Sequence, residues 1–254
     1  MPEFLTFALV APMASFGDLA VGERRGGFDR PARSAVLGLV GACLGIERDD
    51  DAGQSGLAAG YDVGLLCEQS GTLLADYHTA QVPPAARSRR YATRAAELSL
   101  PSHALNTILT RRDYRLGAWH LAALSARDGA PWNLPAIAEA MRRPVFTPCL
   151  GRKSCPLGLP LAPCVTDAAD LPAALLARRA GGPENAMRAA LLPAGASRHA
   201  PEPTEVRLTL DVAALPDRAD PNLRRIEMRR DQPRSRRLWQ FDVREEAVLA
   251  VRIP

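Results

Sequence analysis

Arg30-Pro31-Ala32-Arg33-Ser34 and the run that follows, AVLGLVGACLGI over residues 35–46, decide how the rest of the chain is read. At a helical period Val36, Leu39, Val40 and Cys43 stack on one face, while Gly38, Gly41 and Gly45 fall on the other. Apolar residues all round predict a buried helix. Three interior glycines cost about 1 kcal/mol each relative to alanine, so another backbone packed against the glycine stripe is expected to offset them. Pro31 suits the first turn, or Ser34 caps a slightly later start. Either start sets the positive end of the helix dipole beside Arg30 and Arg33, with Arg24 and Arg25 just upstream. Amides, dipole and guanidinium groups together make an anion site, for which phosphate is the natural ligand. The competing reading is a solvated arginine loop with no ligand.

At 254 residues the chain has room for one large domain or two small ones, and 47% apolar content suffices for a core. No run is long enough to span a membrane, and the N-terminus lacks the basic start and cleavage pattern of a signal peptide, so a cytoplasmic protein is expected. The five cysteines (43, 67, 149, 155 and 164) are odd in number and lack CxxC or histidine spacing. Buried free thiols are expected, with neither disulfides nor metal. The net charge of +4 comes almost wholly from arginine, Lys153 being the single lysine. Arginine suits phosphates and can stack on bases, and here its clusters lie in loops.

In chain order, Phe4–Val10 predicts a central strand, residues 11–27 a loop, and 54–60 a short helix after a polar turn at 48–51. Tyr61–Glu68 and 71–79 predict two further strands. Residues 81–112 read as a long hairpin insertion with arginine-rich tip and flanks, carrying Arg87, Arg89, Arg90, Arg94, Arg111 and Arg112. A strand through Trp119 and an amphipathic helix at 134–143 follow. Strand, helix, strand, strand, helix in this order suggest an α+β ferredoxin-like sandwich over residues 1–150. Gly151-Arg152-Lys153-Ser154-Cys155-Pro156 forms a tight polar loop suited to a phosphate, although it is no Walker A loop. Residues 151–254 read as a small β-rich region: a helix at 170–179, a flexible segment at 181–203, a strand at 205–212, and two strands around the basic turn 229–233.

Several of these motifs together resemble one family. They are Pro12-Met13-x-x-Phe16-Gly17, the segment Arg33-Ser34 through Ile46, Arg48-Asp49-Asp50, Asp76-Tyr77-His78-Thr79, and Gly151 through Leu157. The chain is similar over residues 4 to about 165 to the CasD family, and more weakly over 229–244. That family supplies the subunit at the crRNA 5′ end of the type I-E CRISPR Cascade complex in antiviral defence. The resemblance implies a ferredoxin-like, RRM-like palm with a protruding hairpin thumb, binding to the 5′ handle, capping of the backbone filament, and CasC and CasA as neighbours with target DNA nearby. It implies RNA contacts from Met13, Phe16, Arg24, Arg25, Arg30, Arg33, Ser34, the thumb arginines, Arg152, Lys153 and Ser154. Phe16 stands where the family leads one to expect tryptophan, Pro83-Pro84 interrupts the thumb, and residues 180–222 are longer than usual.

A sister branch of the superfamily cuts precursor crRNA without metal, which needs a base, a cation and an acid. Tyr77, His78 and Lys153 are the available types for that alternative, with His78 equally suited to holding Asp76. The other histidines have no partner pattern, and no carboxylate cluster suits two-metal chemistry. The expectation is a non-catalytic RNA binder without cofactor, the further alternative being a scaffold whose arginines meet only protein carboxylates.

Overall fold

The N-terminal apolar run forms β1 (Glu3–Ala14), which continues four residues beyond Val10, so Pro12 and Met13 stand in the strand and not in a loop. The computed structural model describes residues 1–17, 22–85, 90–191 and 205–252. After β1 come β2 (Arg24–Arg25), α1 (Arg33–Leu44) and α2 (Asp51–Gly60), the last capped by the Asp50 carboxylate on the Gly53 amide. β3 (Tyr61–Gln69) and β4 (Thr72–Val82) follow, then the single-turn helix α3 (Arg94–Glu97). β5 (Asn106–Ala126) is one strand of 21 residues, about 70 Å long at 3.4 Å per residue. The remainder comprises α4 (Leu134–Arg142), β6 (Cys164–Asp167), α5 (Leu171–Gly181), α6 (Asn185–Leu191), β7 (Glu205–Asp211), β8 (Leu223–Ser235) and β9 (Gln240–Arg252).

These strands build one sheet in the order β6-β1-β5-β3-β7-β9-β8, with β2 and β4 also paired to β5. Every pairing is antiparallel except that of β2 with β5. β5 is the spine. Its second half lies between β1 and β3, with Leu124 opposite both Leu5 and Val63. Its first half runs on beyond them and pairs with β4 from Leu116↔Thr72 to Asn106↔Val82. The arms of this hairpin are Thr72–Val82 and Asn106–Leu116, where the sequence predicts a separate strand at 71–79 and a hairpin over 81–112.

Apolar alternation along β1 and β5 serves both faces. Leu5, Phe7, Leu9 and Ala122 face α1 and α4, which supply Val36, Val40, Ile137 and Met141. Phe4, Ala8, Trp119 and Leu121 face α5, which supplies Leu171 and Leu175 with Leu208 and Leu210 of β7. The mixed α/β architecture therefore has a large, mainly antiparallel sheet covered on both sides.

Several expectations change. The boundary near residue 150 does not separate two sheets, because β6 completes the edge beside β1 and β7 pairs with β3. Residues 229–233 are not a turn: they run inside β8, and the chain reverses at 236–239. Pro233 is tolerated there because β8 is the edge strand and its register shifts on either side. Within the segment read as flexible, 185–191 is helical, and Glu184 is buried against Arg178 at 2.7 Å. Residues 192–203 lie outside the described residues.

The glycine stripe of α1 meets side chains and not a second backbone. A Cβ at Gly38 would collide with the Arg236 guanidinium, and one at Gly41 would meet Leu57 at 3.1 Å. Gly45 is not interior but the C-cap, with φ 78°. The five cysteines are free, and burial pushes the Cys43 and Cys67 thiols up to about 11, which keeps them protonated.

Candidate nucleic-acid interface

The start of α1 has already found its anion. The Arg33 amide donates to Asp231 Oδ2 at 2.8 Å, so a carboxylate from β8 occupies the positive end of the helix. Pro31 lies ahead of the first turn and Ser34 does not cap it: Ala32 is the N-cap, and the Ser34 carbonyl accepts from Arg236. The Arg33 side chain is 2% exposed. Its Nε donates to Asp211 at 2.8 Å, Nη1 to Gln232 at 2.7 Å, and Nη2 to the carbonyls of Ala58 and Tyr61 at 2.9 and 2.7 Å.

Arg30 is equally enclosed, pairing with Glu246 and Glu227. Arg229 reaches Glu246 at 3.2 Å, and Arg244 reaches Asp231, Asp211 and Glu246 at 2.6 to 2.9 Å. These arginines and carboxylates form one internal network between the start of α1 and the β7–β9 strands, to which Asp29 adds a contact on Arg30 at 3.2 Å. Burial opposes the charge on Arg30, but Glu246 and Glu227 outweigh it and hold its pKa above the ordinary value. Burial likewise opposes ionisation of Glu246, and Arg229, Arg30 and Arg244 reverse that, leaving its pKa lowered. Arg30 and Arg33 are therefore not phosphate ligands. Their donors are spent on the fold.

Other candidate residues do gather. β2 lies parallel to β5 with Arg24 beside Arg111 and Arg25 beside Arg112, fixed by the Arg111 amide on the Glu23 carbonyl at 2.9 Å. Arg24, Arg25 and Arg111 are exposed. Against this strip sits the 150–156 loop. It is pinned to the end of β1 by the Ser15 amide on the Leu150 carbonyl at 2.9 Å, and folded on itself by Cys155 N to Arg152 O at 2.8 Å. Gly151, at φ 94°, brings its backbone so close to the Ser15 carbonyl that no side chain fits. The loop lays the Arg152 guanidinium over the Tyr114 ring, 4.6 Å from its centroid. Tyr114 and Arg112, two apart on β5, share a face, so Arg152 joins the Arg112 side of the strip. Arg112 Nε and Arg152 Nη1 have no hydrogen-bond partner among the described residues. Lys153 and Ser154 are exposed at the loop tip.

The remaining candidates are scattered. Phe16 is buried, edge-on to His120 at 5.3 Å, and cannot stack on a base. Met13 is half-buried opposite Leu116. Arg94 closes the far end of the hairpin by pairing with Glu97 and the Gln81 carbonyl, and Arg90 is exposed. Arg87 and Arg89 lie outside the described residues. Tyr77 and His78, consecutive in β4, project from opposite faces of the hairpin. His78 pairs with Asp76, as its spacing suggests. The types needed for acid–base cleavage therefore do not converge on one phosphate.

Sequence reasoning missed two features. One is Tyr114 as the platform for Arg152, hidden in a strand. The other is the reversal at 236–239, whose signal was a tryptophan at the end of a basic run. No helix is long and apolar enough to cross a membrane, and no group of metal-ligating side chains occurs among the described residues.

A family model described as CRISPR-associated protein (Cas_Cas5) matches residues 4–245. The CRISPR system Cascade subunit CasD of Escherichia coli (strain K12) is 34% identical over 184 residues, covering 69% of this chain and 77% of that protein. Among solved structures, a chain of a CRISPR RNA-guided surveillance complex aligns with 99% of this chain and 91% of its own length, at TM-score 0.61 and 22% identity. A Cas protein crystal structure aligns with 99% and 95%, at TM-score 0.55 and 20% identity. At that identity both likenesses concern the fold.

Proposed function

The chain belongs to the Cas5 family of CRISPR-associated proteins, and from that premise we propose that it is a non-catalytic crRNA-binding subunit of a type I-E Cascade surveillance complex. In this reading the strand order β6-β1-β5-β3, with α1 and α4 on one face, is a ferredoxin-like palm, and β4 with the first half of β5 is its thumb. The 5′ handle of the crRNA lies at the base of the thumb. The CasC backbone subunit and the CasA large subunit are its neighbours, the chain caps the backbone filament, and target DNA passes nearby.

The observation that carries the reading is the seam where β2, β5 and the 150–156 loop meet. From three separate parts of the chain it gathers Arg25, Arg112 and Arg152 on one side of the strip, with Lys153 at the loop tip, while Arg24 and Arg111 line its other side. Planar guanidiniums at the root of an extended hairpin suit the backbone and splayed bases of a bent single strand. Nothing there performs chemistry on the RNA, because Tyr77 and His78 face opposite ways.

The test is a salt titration of handle RNA binding by the wild type and by Arg152→Ala/Lys153→Ala. Each lost phosphate contact lowers the slope of log K against log salt by about 0.7, so the double variant should lose about 1.4, equally for all sequences. An unchanged slope would assign these cations to the fold or to a protein neighbour. Cutting of repeat RNA that is lost in His78→Ala would replace the binder with a nuclease.

A further inference from the structure

The reversal between β8 and β9 is held unusually firmly for a surface turn. Arg236 lies in the space left by Gly38 of α1 and donates to the Ser34 carbonyl. Arg48, in the connection between α1 and α2, donates to the Arg236 carbonyl at 3.0 Å, and Ser235 Oγ accepts from the Leu238 amide at 3.2 Å. Yet the side chains so carefully held are turned outward. Leu238 is 61% and Trp239 59% exposed. Trp239 sits at φ 57°, a left-handed conformation that glycine takes freely and a bulky residue does not. Its ring is fixed by the edge of Phe241 at 5.4 Å and by the Arg48 guanidinium 4.7 Å above it. Apolar exposure continues behind the turn at Val243 and Met228.

The charges around it are lopsided. Arg230, Arg234 and Arg237 surround the turn with Arg48, and the carboxylates that approach them, Asp242 on Arg234 and Asp51 on Arg237, do so only at 3.9 and 3.8 Å. Asp50 is engaged in capping α2.

We propose that the β8–β9 turn is a protein-docking knob, with Trp239 and Leu238 as its anchors, shaped for a neighbouring subunit that offers an apolar pocket rimmed by carboxylates. Tryptophan and arginine are the residues that carry most binding energy at protein interfaces, and an aliphatic-aromatic centre with a charged rim is their usual anatomy. Fixing the anchor in advance spares the ordering cost of association. Leu238, Met228 and Val243 have nothing to offer a phosphate, and Arg48 already covers one face of the indole, so a protein fits better than a nucleic acid. The inference rests on the reading of the chain as one subunit of a multi-protein assembly, and it concerns a surface apart from the thumb-base seam.

The experiment assembles the complex from the subunits encoded with this chain and its guide RNA. Oxidative footprinting then reads Trp239 by mass spectrometry, with the buried Trp119 as internal reference. The oxidation of Trp239 should fall several-fold in the assembly and stay unchanged with guide RNA alone. Trp239→Gly and Leu238→Ser should each weaken retention of a protein neighbour on the order of tenfold. The glycine variant also relieves the left-handed residue, so its Tm should be equal or higher, which separates lost docking from lost folding. Trp239 as reactive in the assembly as in the free chain, or Trp239→Gly assembling like wild type, would overturn the knob and leave the subunit reading standing. Protection by RNA alone would make the surface a nucleic-acid contact and overturn the knob as well. Failure of the wild type to assemble would remove the subunit reading and the knob with it.

Discussion

Replacing Arg33 by alanine separates a structural arginine from an RNA-binding one. The guanidinium holds Asp211, Gln232 and two backbone carbonyls from a position 2% exposed. Its removal strips a partner from Asp211 and leaves the Ala58 and Tyr61 carbonyls short of a donor inside the protein. Asp211 keeps Arg244 at 2.9 Å, but the broken buried pair and the two orphaned carbonyls together cost about 3–5 kcal/mol. For a chain of this length each kcal/mol lowers Tm by about 2–4 °C, so Arg33→Ala should melt about 6–20 °C earlier. Arg33→Lys should fall between, since a point charge cannot span acceptors that a planar fork reaches together. Circular dichroism melts give the first measurement. Handle RNA titrations in several salt concentrations, held well below the variant's Tm, give the second, and their slope should match wild type. An Arg33→Ala protein that melts like wild type but loses about 0.7 from the slope would refute the internal role and restore Arg33 to the phosphate site.

Two other outcomes follow from named groups. His120 is fully buried between Leu9 of β1 and Cys67 of β3, and burial, helped by Arg207, lowers its pKa from 6.5 to about 3. The unfolded chain then binds a proton that the folded chain refuses, so stability falls as pH drops from 6.5 toward 3, by about 2 kcal/mol at pH 5. Urea midpoints at pH 7 and 5 should differ for wild type and converge in His120→Phe; equal midpoints in the wild type would contradict it. Replacing residues 82–102 by a short glycine–serine linker should leave the protein's Tm nearly unchanged, because none of the described residues of that segment belongs to either core, while crRNA and CasC co-purification falls. A much earlier melt would show that the end of the hairpin supports the palm.

The internal network adds a further acid limit. Glu246, ordinarily near 4.5 and lowered here, contributes stability that is present above that value and lost as pH falls through its folded pKa. Network and docking turn share one hairpin: β8 supplies Asp231 to the start of α1, and the turn supplies Arg236 to its glycine face. The β8–β9 hairpin thus locks the helix on which the N-terminal half is built and presents Trp239 from the same rigid support.

What the residues determine locally was legible from the sequence. Apolar periodicity marked α1, α4, β1 and β3, alternation marked β7, and the shortage of core-forming residues between 81 and 101 marked a protruding hairpin. Free thiols followed from cysteine spacing, although of the five only Cys43, Cys67 and Cys155 are buried and Cys164 is exposed, and the Gly151–Ser154 loop was recognisable by composition. Partner choice was not legible, because it is made between residues far apart in the chain. Arg30 and Arg33 look, locally, like any arginines at a helix start. Only the folding of β7, β8 and β9 onto that end brings Asp211, Asp231 and Glu246 against them, and a carboxylate already in place, costing no entropy of association, excludes a phosphate. The same distance hid the pairing of Arg24 and Arg25 with Arg111 and Arg112, and the stacking of Arg152 on Tyr114. Sequence settled which residues could bind an anion; tertiary structure decided which of them had donors left to do so.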